Sequence, residues 1–365
     1  MIDVFKVADI LIEHVKHHYA QDIAIVACYG SYVHGTAHAK SDLDFFFIPE
    51  TEDAIHASCQ FILEDIGFDF WPVRWTRAER MAEFDDPLVS LIAGGHILYA
   101  RSESDRARFN ALKERINNLC KPENKHVMFN KAQDKFQQAF HHLYTLQNSD
   151  HNLTTIRLTA YALVTTVLHS IALLNQTYFT KGWGQNMGQV HALKIKPKNL
   201  DHLLNQIITQ RDISEITHAC ETLTHNTHAL FLAEEKNLCK PKPFADIFSG
   251  FHEEVTGLLN KIISACDRQD YATAFFAAVH VQDEICTCLT QTEGFPKSDI
   301  FAIQKIYENA ELPDLSAIVE TGNLTALKQA VTKLDNTMKS LLKSQGVHLN
   351  TFDTLDTFQA FIHNK

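Results

Sequence analysis

Gly30-Ser31, ten intervening residues and then Asp42-Leu43-Asp44 stand between two short apolar runs, Ile23–Tyr29 and Leu43–Ile48. Both runs are rich in β-branched or aromatic residues and read as strands, the second stopped by Pro49. Two aspartates two residues apart on a strand project from one face. Carboxylates that close repel each other, and keeping both ionised costs free energy unless a cation sits between them. A hard divalent ion such as Mg²⁺ takes oxygen ligands and suits such a pair. At the strand end, Gly30 lets the backbone approach a ligand, and backbone N–H groups with the Ser31 hydroxyl can hold phosphate oxygens.

A third acid, Asp69, lies between Phe68 and Phe70 in another strand-like stretch, Phe68–Val73. A carboxylate there is expected to face the other two across the sheet rather than enter a dry core unpaired. Three carboxylates beside a phosphate-holding turn are the parts of a two-metal phosphoryl-transfer site. A lone D-x-D is usually a solvated turn or strand end, and Gly-Ser is commoner still. The specific signal is the combination of strand, Gly-Ser, turn, Asp42-Leu43-Asp44 and a strand with a central acid.

Around this segment the pattern predicts an α+β chain: a small mixed β-sheet domain followed by a mostly α-helical region. Val4, Val7, Ala8, Leu11 and Val15 share one helical face. Asp53 to Ile66 is read as a helix, Pro72 as marking a sheet edge or a strand end, and Ile97–Tyr99 as a last short strand. After Ser102 long helical patterns dominate, the most apolar running from Thr155 to Tyr178. Thr180–Asn199, punctuated by Gly182, Gly184, Gly188 and Pro197, reads as a structured loop. Expected domains are 1–102, 103–240 and 241–365, with a boundary near Lys236–Lys242.

Composition excludes several classes. A net charge of −11 argues against bulk nucleic-acid binding, which needs clustered Lys and Arg, and better suits a cationic acceptor. Eight scattered Cys form neither a disulfide framework nor a zinc set, which suits a reducing cytoplasm. Asp3, Lys6, Asp9, Glu13 and Lys16 interrupt the opening residues, so no signal peptide is expected there. No apolar run is expected to reach the roughly 20 residues that span a bilayer, so no membrane partner is expected.

Gly30-Ser31-Tyr32-Val33-His34-Gly35-Thr36 followed by Ser41-Asp42-Leu43-Asp44 resembles the signature of the polymerase-beta-like nucleotidyltransferase superfamily. The likeness is nearest to nucleotidyltransferases of the aminoglycoside, lincosamide and kanamycin type. It is firm over about residues 20–100. Asp86–Ile92 with Ile97–Tyr99 is similar to the way such catalytic domains close, and Leu174–Phe179 resembles part of their helical substrate-binding domain. Many members carry an Arg in the loop after Gly-Ser, where this chain has His34 and Thr36.

The resemblance implies a Mg²⁺-dependent enzyme that moves a nucleoside monophosphate, AMP from ATP or another triphosphate, onto a hydroxyl of a small molecule. An aminoglycoside-like antibiotic is one such acceptor. By resemblance Asp42 and Asp44 bind two Mg²⁺ ions, Gly30 and Ser31 hold the β- and γ-phosphates, and Asp69 binds the second metal or helps deprotonate the acceptor. Relatives also use a Glu as base, and no motif identifies one here. Two other readings stay open: a protein or RNA nucleotidyltransferase of toxin–antitoxin type, and a non-catalytic nucleotide-binding regulator. A homodimer is compatible with the sequence.

Lys181 could reach a triphosphate, although a solvated lysine is the plainer account. Arg211 and His218 share the spacing of a ribonuclease pair, which 21 His produce readily by chance. His252-Glu253-Glu254 lacks the second His of a zinc helix. Trp71, Trp75 and Trp183 read as core unless a base or sugar stacks on them.

Overall fold

The computed structural model describes residues 3–33, 35, 37, 41–148, 152–295 and 300–364. His34 and Thr36 lie outside the described residues. The chain forms two compact units, residues 1–230 and 231–365.

The first unit opens with helix α1 (Val4–His18), capped by the Asp3 carboxylate, which accepts from the Phe5 N–H. Its buried stripe of Val4, Val7, Ala8 and Val15 packs with the sheet residues Val26, Phe45, Phe47 and Phe70 in one core. Strands β1 (Ile23–Tyr29), β2 (Asp44–Pro49), β3 (Cys59–Leu63), β4 (Ile66–Pro72) and β5 (His96–Ala100) form one sheet in the order β3-β4-β2-β1-β5. Only the β2–β4 pair is parallel, so the sheet is mixed. Strand β1 lies inside the sheet and is buried along almost its whole length, which explains its unbroken apolar run. Pro72 ends β4, where the missing N–H costs the ladder least.

The helix expected over 53–66 is corrected. Asp53–Ala57 makes a short 3₁₀ turn, and the following residues form the edge strand β3. That strand folds back on β4 through Glu64-Asp65, whose φ values of 47° and 62° are those of a type I′ hairpin turn. Neither residue is the Asn or Gly that usually announces such a turn, so the hairpin left no mark in the sequence. Strand β3 also has little buried surface, leaving its apolar pattern weak.

Helices α2 (Trp75–Ala82) and α3 (Val89–Ala93) precede β5, and Ser102 then caps α4 (Glu103–Leu119). Next come α5 (Lys125–Asn148), α6 (Leu153–Leu174), α7 (Met187–Ala192), α8 (Leu200–Thr209) and α9 (Ile213–Leu238). Contrary to expectation, α6 is long and apolar enough to cross a membrane. It packs along α5 as a core helix, with 56% of its most apolar stretch buried inside the protein.

The second unit is helical: α10 (Phe244–Phe248), α11 (Phe251–Asp267), α12 (Tyr271–Glu293), α13 (Ile300–Asn309), α14 (Leu315–Glu320), α15 (Leu324–Ser344) and α16 (Leu355–His363). Ile262, Val281, Leu315, Leu327 and Leu334 lie at the centre of its own core. Buried His252 is hydrogen-bonded through Nε2 to Asp335, 2.8 Å away.

Candidate active site

Asp44 is the first residue of β2 and sits opposite Tyr29, the last of β1. The chain turns immediately, at Gly30, with φ +82°. A Cβ at that position would lie 1.9 Å from Asp44 Oδ2. Glycine is therefore required twice, by the left-handed backbone and by the carboxylate packed against it. The Gly-Ser turn and the second acid of D-x-D are one physical unit.

The Asp44 carboxyl is pushed up to about 6, first by burial and then by the charge of Asp42. Asp42 lies just before β2, in the lead-in to the strand. Across the sheet, Phe45 pairs with Phe70, so Asp44 and Asp69 are neighbours on the same face of parallel strands. The Tyr29 phenol is pushed up to about 12 by burial, by Asp44, and further by Asp69 and Asp42. Three acids thus act electrostatically on one half-buried phenol.

They do not all open the same way. Asp44 lines a cleft of about 490 Å³ with Gly30, Ser31 and Lys181. Asp42 and Asp69 instead share a separate shallow depression, where exposed Asp69 Oδ1 accepts from Gln60 Nε2 at 2.7 Å. Among the described residues no group of three or more His, Cys, Asp and Glu is set to hold a metal ion. The donor chemistry nonetheless fits a hard cation: Asp42 and Asp44 are all-oxygen donors, and their repulsion and burial are what a bound positive charge relieves.

The far wall of the cleft was not legible in the sequence. It comes from His169 of α6 and from the loop Phe179–Asn186. Lys181 is exposed and lines this cleft together with Gly30 and Ser31. His169, one of 21 His in the chain, sits within the most apolar helix and carried no signal. Burial lowers its imidazole to about 4, so the ring is neutral. It meets Trp183 edge-on at 5.0 Å and Phe179 at 5.9 Å.

Asn186 is 1% exposed, and both its amide nitrogen and its amide oxygen lack a partner. An unpaired buried polar group of this kind costs about 1–3 kcal/mol. Trp71 and Trp75 do not reach this cleft. Arg77 lies over the first at 5.5 Å and Arg108 over the second at 4.1 Å. Arg211 and His218 line a separate shallow pocket, and His218 lies 3.9 Å from Glu221.

A second cavity, of about 220 Å³, adjoins the first through the shared residues Pro87 and His169. Asp85, Asp86 and Asp134 face Lys131 and Lys135 there. Asp85 is paired with Lys131 at 2.7 Å and Asp86 with Arg77 at 3.0 Å. Asp134 has no ion pair among the described residues, and burial lowers the pKa of the Lys135 ammonium.

Comparison with known proteins bears on the helical part of this unit. Residues 106–237 match the family model of the KNTase C-terminal domain, and over that region the chain resembles kanamycin nucleotidyltransferases. The match supports a nucleotidyltransferase in general terms. No curated protein matches the chain. Among solved structures, a nucleotidyltransferase-like protein from Exiguobacterium sibiricum is 11% identical, covering 66% of this chain and 84% of that chain with a TM-score of 0.34. A likeness that slight carries no argument about chemistry.

Proposed function

We propose that the chain transfers a nucleoside monophosphate, AMP from ATP, to a hydroxyl of a small acceptor and releases pyrophosphate. The observation that carries this reading is the packing of Asp44 against Gly30. It fuses a carboxylate that favours a cation with a turn that can hold phosphates, on one wall of a cleft large enough for a nucleotide. The helical match independently favours the same class.

Gly30 and Ser31 hold triphosphate oxygens through backbone N–H groups and the Ser31 hydroxyl. Lys181, on the opposite wall, adds positive charge to the same cleft. Asp42 and Asp44, with Asp69 on the neighbouring strand, are the residues that would hold divalent cations of the magnesium type. Such ions, when bound, neutralise phosphate charge and steady the triphosphate for in-line displacement. The acceptor occupies the adjoining cavity beside Pro87 and His169. Its hydroxyl oxygen bonds to the α-phosphorus as the bond to pyrophosphate breaks, and Asp134, the unpaired acid of that cavity, takes the proton. With Asp85 and Asp86 already paired, one free carboxylate remains to attract a cationic acceptor.

Pyrophosphate release from Mg·ATP in the presence of a panel of hydroxylated acceptors tests the reading. Asp44→Asn and Asp42→Asn should each lose more than about a hundredfold in turnover while keeping the wild-type circular dichroism. Turnover unchanged in both variants would remove the idea.

A further inference from the structure

Two side chains of the first unit hold buried polar atoms without a partner, Trp75 at Nε1 and Asn186 at both amide atoms, and Asn186 is the one that lines the candidate cleft. The loop between α6 and α8 satisfies its other amides carefully. Gln189 Oε1 accepts from the N–H groups of Thr180 and Lys181, at 3.1 and 3.2 Å, while its Nε2 donates to Thr180 Oγ1 at 3.0 Å. Asn175 Oδ1 accepts from Lys194 and Ile195, and its Nδ2 donates to the carbonyls of Ile171 and Ile195. Asn186, in the same loop and more deeply buried than either, has no partner for either amide atom. A group that donates and accepts, kept buried and idle, is unfavourable to the free protein.

Its position suggests what would engage it. Asn186 and Trp183 belong to the walls of two cavities at once. One is the cleft that holds Gly30, Ser31 and Asp44. The other is an apolar pocket of about 290 Å³ lined by Val164, Leu168, Leu204 and Ile207. The residues form a partition, and turning the Asn186 side chain brings its amide to whatever fills either side. Trp183 remains 37% exposed for a residue of its size, braced edge-on by His169 and Phe179. A large aromatic face beside a free donor–acceptor pair is the chemistry that recognises a nucleobase, which stacks through its plane and offers adjacent donor and acceptor atoms on its edge.

We propose that Trp183 and Asn186 form the nucleobase subsite of the cleft: the base stacks on the indole and its edge pairs with the Asn186 amide, while the phosphates lie toward Gly30 and Ser31. The assignment rests on the nucleotidyl-transfer reading and adds to it the part of the molecule that distinguishes a nucleotide from a bare polyphosphate. It also makes Asn186 a binding residue that weakens the free fold, a trade common at functional sites.

Calorimetric binding of ATP and of inorganic tripolyphosphate, each with Mg²⁺, separates the two ideas when applied to the full chain and to Asn186→Leu and Trp183→Leu. The wild type should bind ATP at least tenfold more tightly than tripolyphosphate. Both variants should lose most of that difference and bind tripolyphosphate within twofold of wild type. Without ligand, Asn186→Leu should melt at or above the wild-type temperature, because it removes an unpaired amide. Equal binding of the two probes by the wild type, or wild-type ATP affinity in Asn186→Leu, would overturn the subsite and leave nucleotidyl transfer standing. A lower melting temperature in Asn186→Leu together with equal weakening of both probes would make the residue structural, and overturn it too. If neither probe binds the wild type, the transfer reading fails and the subsite falls with it.

Discussion

Gly30 is the residue on which the site turns. Its positive φ and the 1.9 Å approach of Asp44 Oδ2 to a Cβ position leave no room for a side chain. Gly30→Ala must shift either the turn or the carboxylate, so activity should fall by more than about a hundredfold, with stability lowered by about 1–3 kcal/mol. Steady-state kinetics and a denaturant titration check both, and wild-type kcat in the variant would contradict the packing. His169 gives the pH dependence. Its imidazole is lowered from 6.5 to about 4 by burial, with the Lys135 charge as a smaller cause. Between those values the unfolded chain binds the extra proton, so stability is intact above about 6.5 and lost as pH falls toward 4. The loss is on the order of 3 kcal/mol at most. Melting temperatures across that range should fall less steeply in His169→Phe. These two residues also mark the limits of reading from sequence. Gly30 was legible because Gly-Ser before D-x-D is a short-range pattern. His169 was not, because its neutrality comes from surroundings supplied by α6 and a distant loop.

Among the elements, the β3–β4 hairpin shows how a local reading fails. Cys59–Leu63 is an edge strand with few buried side chains, and its turn residues Glu64 and Asp65 adopt positive φ against their own preference. An Asn-Gly pair suits a turn of this type, so the double substitution Glu64→Asn with Asp65→Gly should stabilise the protein by about 0.5–1 kcal/mol, read as a higher melting temperature. A lower one would mean that the turn is not of type I′. Elements with stronger local rules were readable. Strand β1 was bounded correctly from its apolar run and α1 was legible from its i, i+3, i+4 face, while the change of pattern after Ser102 marked where the helical region begins. The apolar length of α6 was misjudged, because composition cannot say whether protein or lipid covers a helix; here α5 does.

For the whole molecule, every residue of the candidate cleft belongs to the first of the two compact units. Hydrogen exchange with Mg·ATP should therefore show protection at residues 29–31, 44–46 and 180–187, and little within the core of α11, α12 and α15. Protection centred on that second core would contradict the placement of the site. The second unit has its own core, and the match to the KNTase C-terminal domain ends near its start, at residue 237. The proposed nucleotide chemistry therefore lies in the first unit.

The sequence by itself located the Gly-Ser turn, the acidic residues near it and the order of sheet before helices. Those depend on neighbours within a few residues, where sterics and charge act through the local backbone. Only the tertiary structure decided that Asp44 opens into the cleft while Asp42 and Asp69 share a separate depression. It alone decided that Lys181, Trp183 and Asn186 come to stand across from Gly30. Their separation of about 150 residues along the chain is closed by burial of α6, a non-directional force that leaves no motif at the residues it brings together.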